Sequence, residues 1–299
     1  MPLDNNLQGC KNFAMSKDGI RLKYLPDLND PLFIAGFDGW GNALDISRGM
    51  VDYLIRKSKA MPFGRIDPDM YYRFDDKRPD VTIADGLIEN IDPPGGTLYR
   101  SARNSVGRDI IILNASEPSL QWYHFTDDLL SLCRETGVKT IITLGSMYDN
   151  VLHTDHVISA LASNSEILSA LKAKNVTRVN YKGPGGIHST IHSEAQKMGF
   201  DCVSFWCHCP YYLQGTTHFG LLSRLGSLLA EWGGFTLDTE ELSIAWKDLN
   251  KQIQAIIDKN PELQDMIHDI RKTKVRGAWD LVKRHNNIIQ IEDFIKPKQ

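Results

Sequence analysis

Residues 32–43 read LFIAGFDGWGNA and indicate the fold class. An apolar run, Leu32–Ala35, leads into a turn with spaced glycines, and an amphipathic helix is expected from 43 to 59 with Asn42 as its N-cap. This order is typical of the first strand–turn–helix unit of an α/β domain, whose turn commonly borders a binding site. The turn has no Lys-Ser or Lys-Thr after its glycines and no G-x-G-x-x-G, so it does not indicate a phosphate-binding loop.

The turn after this strand is the first candidate binding surface. Glycine permits positive φ and close backbone approach. Large aromatic side chains on a loop, here Phe37 and Trp40, suit a contact surface better than a core. A simple tight turn between a strand and a helix is the alternative. The candidate residues are Gly36, Phe37, Asp38, Trp40, Gly41 and Asn42.

Further along the chain, apolar strands alternate with amphipathic helices. Continuous apolar runs predict strands at 109–115, 139–144 and 202–207, and helical spacing is clear at 119–136. The alternation favours a mostly parallel sheet with helices on both faces. Residues 61–107 are rich in Pro, Asp and Gly, and we expect an antiparallel excursion or a long loop there.

The pattern changes again towards the C-terminus and predicts a division into two parts. Residues 1–235 form the α/β domain, with residues 1–31 as an N-terminal preamble, and residues 236–299 form a helical extension. One helix of the extension begins near Thr239. The next begins at Asn260-Pro261, where an N-cap residue precedes proline at the first helical position.

Two more glycine-bearing turns follow predicted strands, at 145–150 and 183–188. The carboxyl ends of parallel strands meet at one edge of the sheet, where crevices form. The sequence therefore predicts that all three turns lie along one edge. As before, tight turns without a binding role are the alternative. The further candidates from this part of the chain are Gly145, Tyr148, Gly183, Gly185, His188, His208 and Tyr211.

Composition narrows the classes of partner and compartment. The net charge of −3 and the pI of about 6.3 provide no positive field to attract nucleic acid or an anionic membrane. No segment approaches the roughly 20 apolar residues that span a bilayer. The first residues show no signal peptide, and cysteines such as Cys202 and Cys207 lie in an apolar run. We therefore expect a cytoplasmic protein with reduced thiols.

Two kinds of catalytic site remain open on paper. His188 and His192 are four residues apart on a predicted helix, a spacing that lets two imidazoles share a metal, but no third ligand accompanies them. Ser146 follows a strand, but the G-x-S-x-G of a nucleophile elbow is absent. Histidines on helix faces and loops that are hydrogen-bonded to the backbone explain the spacing of His188 and His192 better than a metal site does. The sequence predicts no catalytic residue, no metal and no cofactor.

The ordered glycine and aromatic motifs resemble the PAC2 (proteasome assembly chaperone 2) family. The resemblance rests on the turn at 36–43, the turn at Gly145, and the sequence from 183 to 188 that leads into 204–213. The last of these is similar to the His-x-Pro-(His/Tyr)-Tyr-Leu sequence of bacterial members. The three motifs occur in order between about residues 30 and 270. The chain departs from the bacterial pattern at Gly185-Gly186-Ile187-His188.

The resemblance implies a three-layer α/β/α sandwich with a mostly parallel mixed sheet, similar to the phosphorylase/hydrolase-like fold, with added C-terminal helices. It also implies a homo-oligomer that binds other proteins. Eukaryotic relatives help to assemble proteasome α-rings, and archaeal relatives bind proteasome components. The archaeal C-terminal docking sequence, a hydrophobic-Tyr-x tail, is missing from Phe294–Gln299.

The leading hypothesis is therefore a non-enzymatic, homo-oligomeric protein-binding or assembly-chaperone-like factor. The alternative is a small-molecule hydrolase or transferase with its site at the carboxyl edge of the sheet and His188 or His208 as acid or base. A chaperone-like protein needs a broad patch with exposed aromatics. An enzyme needs a concave pocket with a titratable group in reach of the reacting atoms.

Overall fold

The computed structural model describes residues 16–17, 19–101 and 108–276, with a ten-stranded sheet at the centre. Its strand order is β1-β2-β4-β7-β8-β3-β9-β12-β10-β11, and a separate two-stranded sheet pairs β5 with β6. The strands are β1 Ser16–Lys17, β2 Ile20–Leu22, β3 Leu32–Asp38, β4 Met61–Ile66, β5 Asp80–Ala84, β6 Leu87–Asp92, β7 Gly96–Arg100, β8 Ile110–Ser116, β9 Thr140–Asp149, β10 Ile158–Ala162, β11 Thr177–Arg178 and β12 Asp201–Pro210.

The four central strands, β8, β3, β9 and β12, are parallel. Ile34 on β3 lies opposite Ile112 on β8 and Ile142 on β9, and all three are fully buried. Strands with helices on both sides bury both faces, which explains their unbroken apolar runs. The strands β1, β2, β4 and β7 extend one side of the sheet in antiparallel pairing.

Helices cover both faces of the sheet. α1 and α6 pack with the C-terminal helices on one face, whereas α3 and α5 pack on the other. The three-layer α/β/α sandwich expected from the sequence is confirmed, with a mixed sheet whose centre is parallel. The helices are α1 Ile46–Lys57, α2 Pro68–Tyr71, α3 Trp122–Glu135, α4 Ser165–Lys172, α5 Ile187–Lys197, α6 Phe219–Gly233, α7 Glu240–Lys259 and α8 Pro261–Arg276, with short 3-10 turns at Ala43–Asp45 and Tyr211–Leu213.

Two local predictions near the first turn and β9 are wrong. Gly145 does not lie in an exit turn, because β9 stays hydrogen-bonded to β12 as far as the Asp149–Pro210 pair. Asn42 is not the N-cap of α1, which begins at Ile46 after the 3-10 turn. Asn42 instead forms a parallel bridge with Ser146 on β9. In both places, backbone pairing with a distant strand overrides the local signal.

The antiparallel excursion expected within 61–107 is confirmed for the described residues. β4 pairs with β7, and between them the chain forms the hairpin of β5 and β6. Every residue from 80 to 92 is exposed, including Ile83, Leu87 and Ile88. We call residues 80–92 the hairpin arm. The individual strands β4 and β6 of this excursion, and β10 further along, were not predicted from the sequence.

The helices expected from near Thr239 and from Pro261 are present as α7 and α8. α7 packs against α6 and carries Trp246, whose ring stacks on His218 at 4.6 Å between centroids. Residues 1–15 and 277–299, which include the tail motif at 294–299, lie outside the described residues. The division at 235/236 therefore stays a prediction.

A cluster of three histidines, His153, His156 and His218, lies beneath Trp246 where α7 meets the sheet. Burial lowers the pKa of His153 to about 4 and that of His218 to about 3, and it also lowers the pKa of His156. Asp155 opposes the shift in His153 and His156, whereas Arg271 strengthens it in His153 and Arg224 in His156. The cluster is held neutral in the folded protein.

This neutrality predicts a loss of stability in mild acid. An unfolded histidine has a pKa near 6.5, so below that pH the unfolded chain binds protons that the folded cluster does not. The contribution of the cluster to the free energy of unfolding should be constant above about pH 7 and fall below 6.5, by up to about 1.4 kcal/mol per pH unit for each such histidine until its folded pKa is reached. Urea unfolding at a series of pH values measures this, and His156→Phe should reduce the slope. An unfolding free energy that is flat from pH 7 to 5 would contradict it.

Candidate functional site

The first turn crosses from β3 to β9 at the carboxyl edge of the sheet. The Ser146 amide donates to the Gly41 carbonyl at 2.8 Å, next to the Asn42–Ser146 bridge. The strands β3 and β9 are neighbours, but the chain continues from them in opposite directions across the sheet. After β3 the next strand, β4, lies on the β8 side, and after β9 the next strand, β10, lies on the β12 side. In open α/β sheets a ligand crevice forms at such a point. Here the chain's own turn occupies that position.

Glu117, which follows β8, connects the first turn with α5. Its Oε2 accepts the Trp40 amide at 3.1 Å and its Oε1 accepts the Ile187 amide at 2.8 Å. Ile187 is the first residue of α5, and Gly186 before it has no side chain to cap the helix. A helix N-terminus attracts anions through its free amides and its dipole. The Glu117 carboxylate takes the place that a ligand phosphate would need.

His188 is buried beneath the first turn. Its Nε2 donates to the Leu144 carbonyl at 2.8 Å, and its ring packs against Phe37 and Trp206 at 5.3 and 5.0 Å between centroids. Burial lowers its pKa. The side chain is 1% exposed, so it lies out of reach of a substrate in solution. The second member of the predicted pair, His192, is bonded to the Ala162 backbone.

Two of the candidate glycines permit this close packing. A Cβ on Gly41 would lie 2.9 Å from Cε1 of His188, and a Cβ on Gly145 would lie 2.8 Å from the Trp206 ring. Both contacts are shorter than real Cβ atoms allow. Gly36 is similarly closed in by Val51 of α1. These glycines are required by packing, and they leave no open space for a ligand.

The expectation that Phe37 and Trp40 both lie on a contact surface is wrong for Phe37. β3 runs on to Asp38, so Phe37 points into the core between Phe125 and His188 and is 1% exposed. Trp40 lies beyond the strand end and is 59% exposed, with its ring edge-on to Trp206. Of these two aromatic side chains, only Trp40 is available to a partner.

His208 belongs to a Ser–His–Asp hydrogen-bond relay that the sequence did not indicate. Its Nδ1 is 2.7 Å from Oδ2 of Asp149, and its Nε2 is 2.8 Å from Oγ of Ser159. Burial alone would raise the pKa of Asp149, but the hydrogen bond from His208 lowers it. Ser159 is 3% exposed and lies inside the β10–β12 ladder. The relay therefore joins three strands, and its hydroxyl is not placed to attack a substrate. Ser159 was missed because β10 was not predicted.

Ser146, the serine considered at the sequence level, is fully buried. Its hydroxyl donates to the Ala43 carbonyl at 2.8 Å. Within the described residues no group of three His, Cys, Asp or Glu side chains is arranged to hold a metal ion. In the same part of the chain, every helix is too short or too polar to cross a bilayer.

The remaining candidates add aromatic surface along the carboxyl edge. Tyr148 and Tyr211 stack at 5.3 Å between ring centroids, and Tyr211 is exposed. Gly183 lies under the exposed ring of Tyr181, whose hydroxyl donates to the Pro184 carbonyl at 2.9 Å. Gly185 lies near Ser189 at the start of α5. We call the exposed rings of Trp40 and Tyr211 the aromatic edge.

Asp38 points away from the buried part of the turn, towards cations. It pairs with Lys77 and with Arg48, the latter at 3.6 Å. Burial alone would raise its pKa, but the hydrogen bond from Lys77 and the charges of Lys77 and Arg48 lower it. Lys77 and Arg48 were not predicted as site residues, because their roles depend on how the segment after β4 folds beside α1.

The different surroundings of Phe37 and Trp40 lead to a direct prediction. Phe37→Ala should lower the free energy of unfolding by about 3–5 kcal/mol, because it leaves a cavity in the core. Trp40→Ala should change it by less than about 1 kcal/mol. Chemical denaturation of the two variants measures the difference. Equal losses would mean that Phe37 is not packed as described.

Comparisons with known proteins agree with this architecture. The model of the PAC2 family matches residues 33–257. A PAC2 family protein from Streptomyces avermitilis is 26% identical, with a TM-score of 0.68, over 80% of this chain and 100% of that one. A proteasome-assembly chaperone homologue from Mycobacterium tuberculosis is 24% identical, with a TM-score of 0.69, over 79% and 99%.

An archaeal proteasome activator from Pyrococcus furiosus, PbaB, shares the fold at 17% identity and a TM-score of 0.59, over 79% of this chain and 97% of that one. No curated protein matches the chain. The family match covers most of the chain and includes all three turns, and the chain belongs to the PAC2 family.

Proposed function

We propose that this protein is a non-enzymatic, homo-oligomeric protein-binding factor of the assembly-chaperone type. One observation carries the proposal: the crevice position at the carboxyl edge is filled by the chain itself, while large apolar side chains stand exposed around it and on the hairpin arm. Exposed apolar surface of this kind marks protein contacts. The relatives described as a proteasome-assembly chaperone homologue and as a proteasome activator support the same class.

The hairpin arm supports self-association. Val81 lies opposite Ile91 and Ile83 lies opposite Ile88, and all four side chains are exposed. An isolated two-stranded hairpin is marginally stable in water. Packing against a second copy would bury these side chains and stabilise the hairpin.

The aromatic edge supports binding of a different protein. Trp and Tyr are enriched where protein interfaces concentrate their binding energy. Trp40 is attached to a rigid support, since its amide is held by Glu117 and its ring rests on Trp206. A fixed aromatic side chain loses little conformational entropy on binding.

A cytoplasmic location is part of the proposal. Four cysteines of the described chain, Cys133, Cys202, Cys207 and Cys209, are buried as free thiols. Burial raises the pKa of the Cys202 and Cys207 thiols to about 12, which disfavours the reactive thiolate. Free thiols of this kind fit a reducing compartment.

Replacing apolar side chains on the hairpin arm should reduce the number of subunits. Ile83→Ser combined with Leu87→Ser removes apolar contact area without touching the core, because both residues are exposed. Size-exclusion chromatography with light scattering should give a lower mass for this variant. The matched control is Ile244→Ser with Leu120→Ser, two exposed residues elsewhere, which should keep the parental mass. A parental mass for both variants would exclude the hairpin arm as the contact.

Affinity capture of the native protein tests the proposed function itself. Co-purifying chains should be recovered by the parent and lost with Trp40→Ser combined with Tyr211→Ser. Tyr123→Ser, an exposed residue on α3, is the control and should retain them. Recovery of no partner, together with a small metabolite that stays bound, would overturn the proposal in favour of an enzyme.

A further inference from the structure

The histidine cluster of His153, His156 and His218 lies directly under α7. His153 and His156 belong to the segment between β9 and β10, and His218 is the N-cap of α6. Trp246 of α7 packs against all three imidazoles, with ring centroids 6.2, 5.1 and 4.6 Å away. One side chain of α7 therefore covers the whole cluster, and movement of α7 away from α6 would open the cluster to water.

The cluster is buried without a full set of hydrogen bonds. Nδ1 of His153 is 2.8 Å from the Tyr212 hydroxyl, and Nδ1 of His218 accepts the Leu221 amide at 3.2 Å. Nε2 of His153 and Nε2 of His156 have no hydrogen-bond partner among the described residues. A buried polar atom without a partner costs free energy. Packing alone therefore does not explain why histidines occupy these positions.

Protonation would place the cluster in unfavourable surroundings. Arg271 of α8 and Arg224 of α6 face the cluster, and both oppose a positive charge on it. Asp155 favours the charged form of two of the histidines, and Asn250 of α7 favours it in His153. The charged imidazoles would also repel one another. Three imidazolium and two guanidinium groups would then lie together beside the Asp155 carboxylate.

α7 is held in place by few buried side chains. Of its twenty residues, Leu242, Ile253 and Ile257 are buried. The ion pair between Glu241, at the start of α7, and Arg56 of α1 is exposed, and exposed ion pairs contribute little to stability. Segments with few buried apolar contacts open locally at a lower cost in free energy than the core does. α7 is therefore a segment that a local change of charge can release.

We propose that His153, His156 and His218 form an acid-sensitive switch under Trp246, which keeps α7 and α8 in place while it is neutral and releases both helices when it is protonated. Release would expose the apolar side chains through which α6 and α7 pack together, a surface that the neutral protein covers. The switch goes beyond the proposed function, because it acts within one chain and requires no partner.

Hydrogen exchange of the full chain tests the switch, with protection factors corrected for the intrinsic pH dependence of exchange. At neutral pH, amides of α7 and α8 should exchange faster than those of β3, β8 and β9, because the helices open separately. Between about pH 7.5 and 5.5, the protection of α7 and α8 should fall by about tenfold for each histidine that opening exposes. The reason is that a solvated imidazole, with a pKa near 6.5, binds a proton in this range and the buried one does not.

His156→Phe combined with His218→Asn removes two of the titrating groups. Phe keeps an aromatic ring beside Trp246, and Asn at the N-cap can accept the Leu221 amide as His218 does. The acid-induced fall in protection should shrink by about tenfold for each histidine replaced. Either single variant should show its own tenfold part, which keeps the test valid where the double variant is unstable. His268→Gln removes an exposed histidine of α8 and should behave like the parent.

Three results would overturn the proposal. One is exchange of α7 and α8 only together with β3, β8 and β9, which would mean that the helices do not open separately. Another is protection of the two helices that is equal at both pH values, which would mean that their opening leaves the cluster buried. The third is an unchanged acid effect in His156→Phe with His218→Asn, which would place the titrating groups elsewhere.

Discussion

The two-sided hydrogen bonding of Glu117 is the constraint on which the carboxyl edge depends. One carboxylate holds the amide of Trp40 in the first turn and the amide of Ile187 at the start of α5. With its backbone amide bonded to Asp38, Glu117 joins β8, β3 and α5. The turn therefore packs closely against β9, and only glycine fits at position 41 in the turn and at position 145 on β9. The aromatic edge takes its position from this arrangement.

The first turn occupies the crevice position between β3 and β9, so any binding site of this protein must lie elsewhere on its surface. In many α/β proteins the point between diverging strands is the ligand site. Here the Glu117 carboxylate accepts a hydrogen bond at the N-terminus of α5, and His188 donates its Nε2 proton to the Leu144 carbonyl. The chemistry-bearing groups are therefore used in packing. Two surfaces outside the core remain available to a partner, the hairpin arm and the aromatic edge. Exposed apolar surfaces of this kind mark protein contacts.

Much of the fold was predictable, because its signals are local. The apolar runs of β3, β8, β9 and β12 and the spacing of α3 follow from burial on both faces of a parallel sheet and on one face of a helix. The strands β4, β6 and β10 were missed, because they are short or exposed. They are strands because they pair with β7, β5 and β12, and that pairing cannot be seen in their own residues. The same holds for the site. Trp40 was identified by its position in a loop, whereas nothing in the sequence around Glu117 indicates that it binds Trp40 and Ile187.

The sequence by itself determined the order of the central strands β3, β8, β9 and β12 and the family, since each depends on residue type and spacing along the chain. Tertiary structure alone decided that Phe37 is core, that Gly145 lies within a strand, and that Ser159 meets His208. The physical reason is that burial and strand register are set by contacts between segments far apart in the chain. No local pattern contains those contacts.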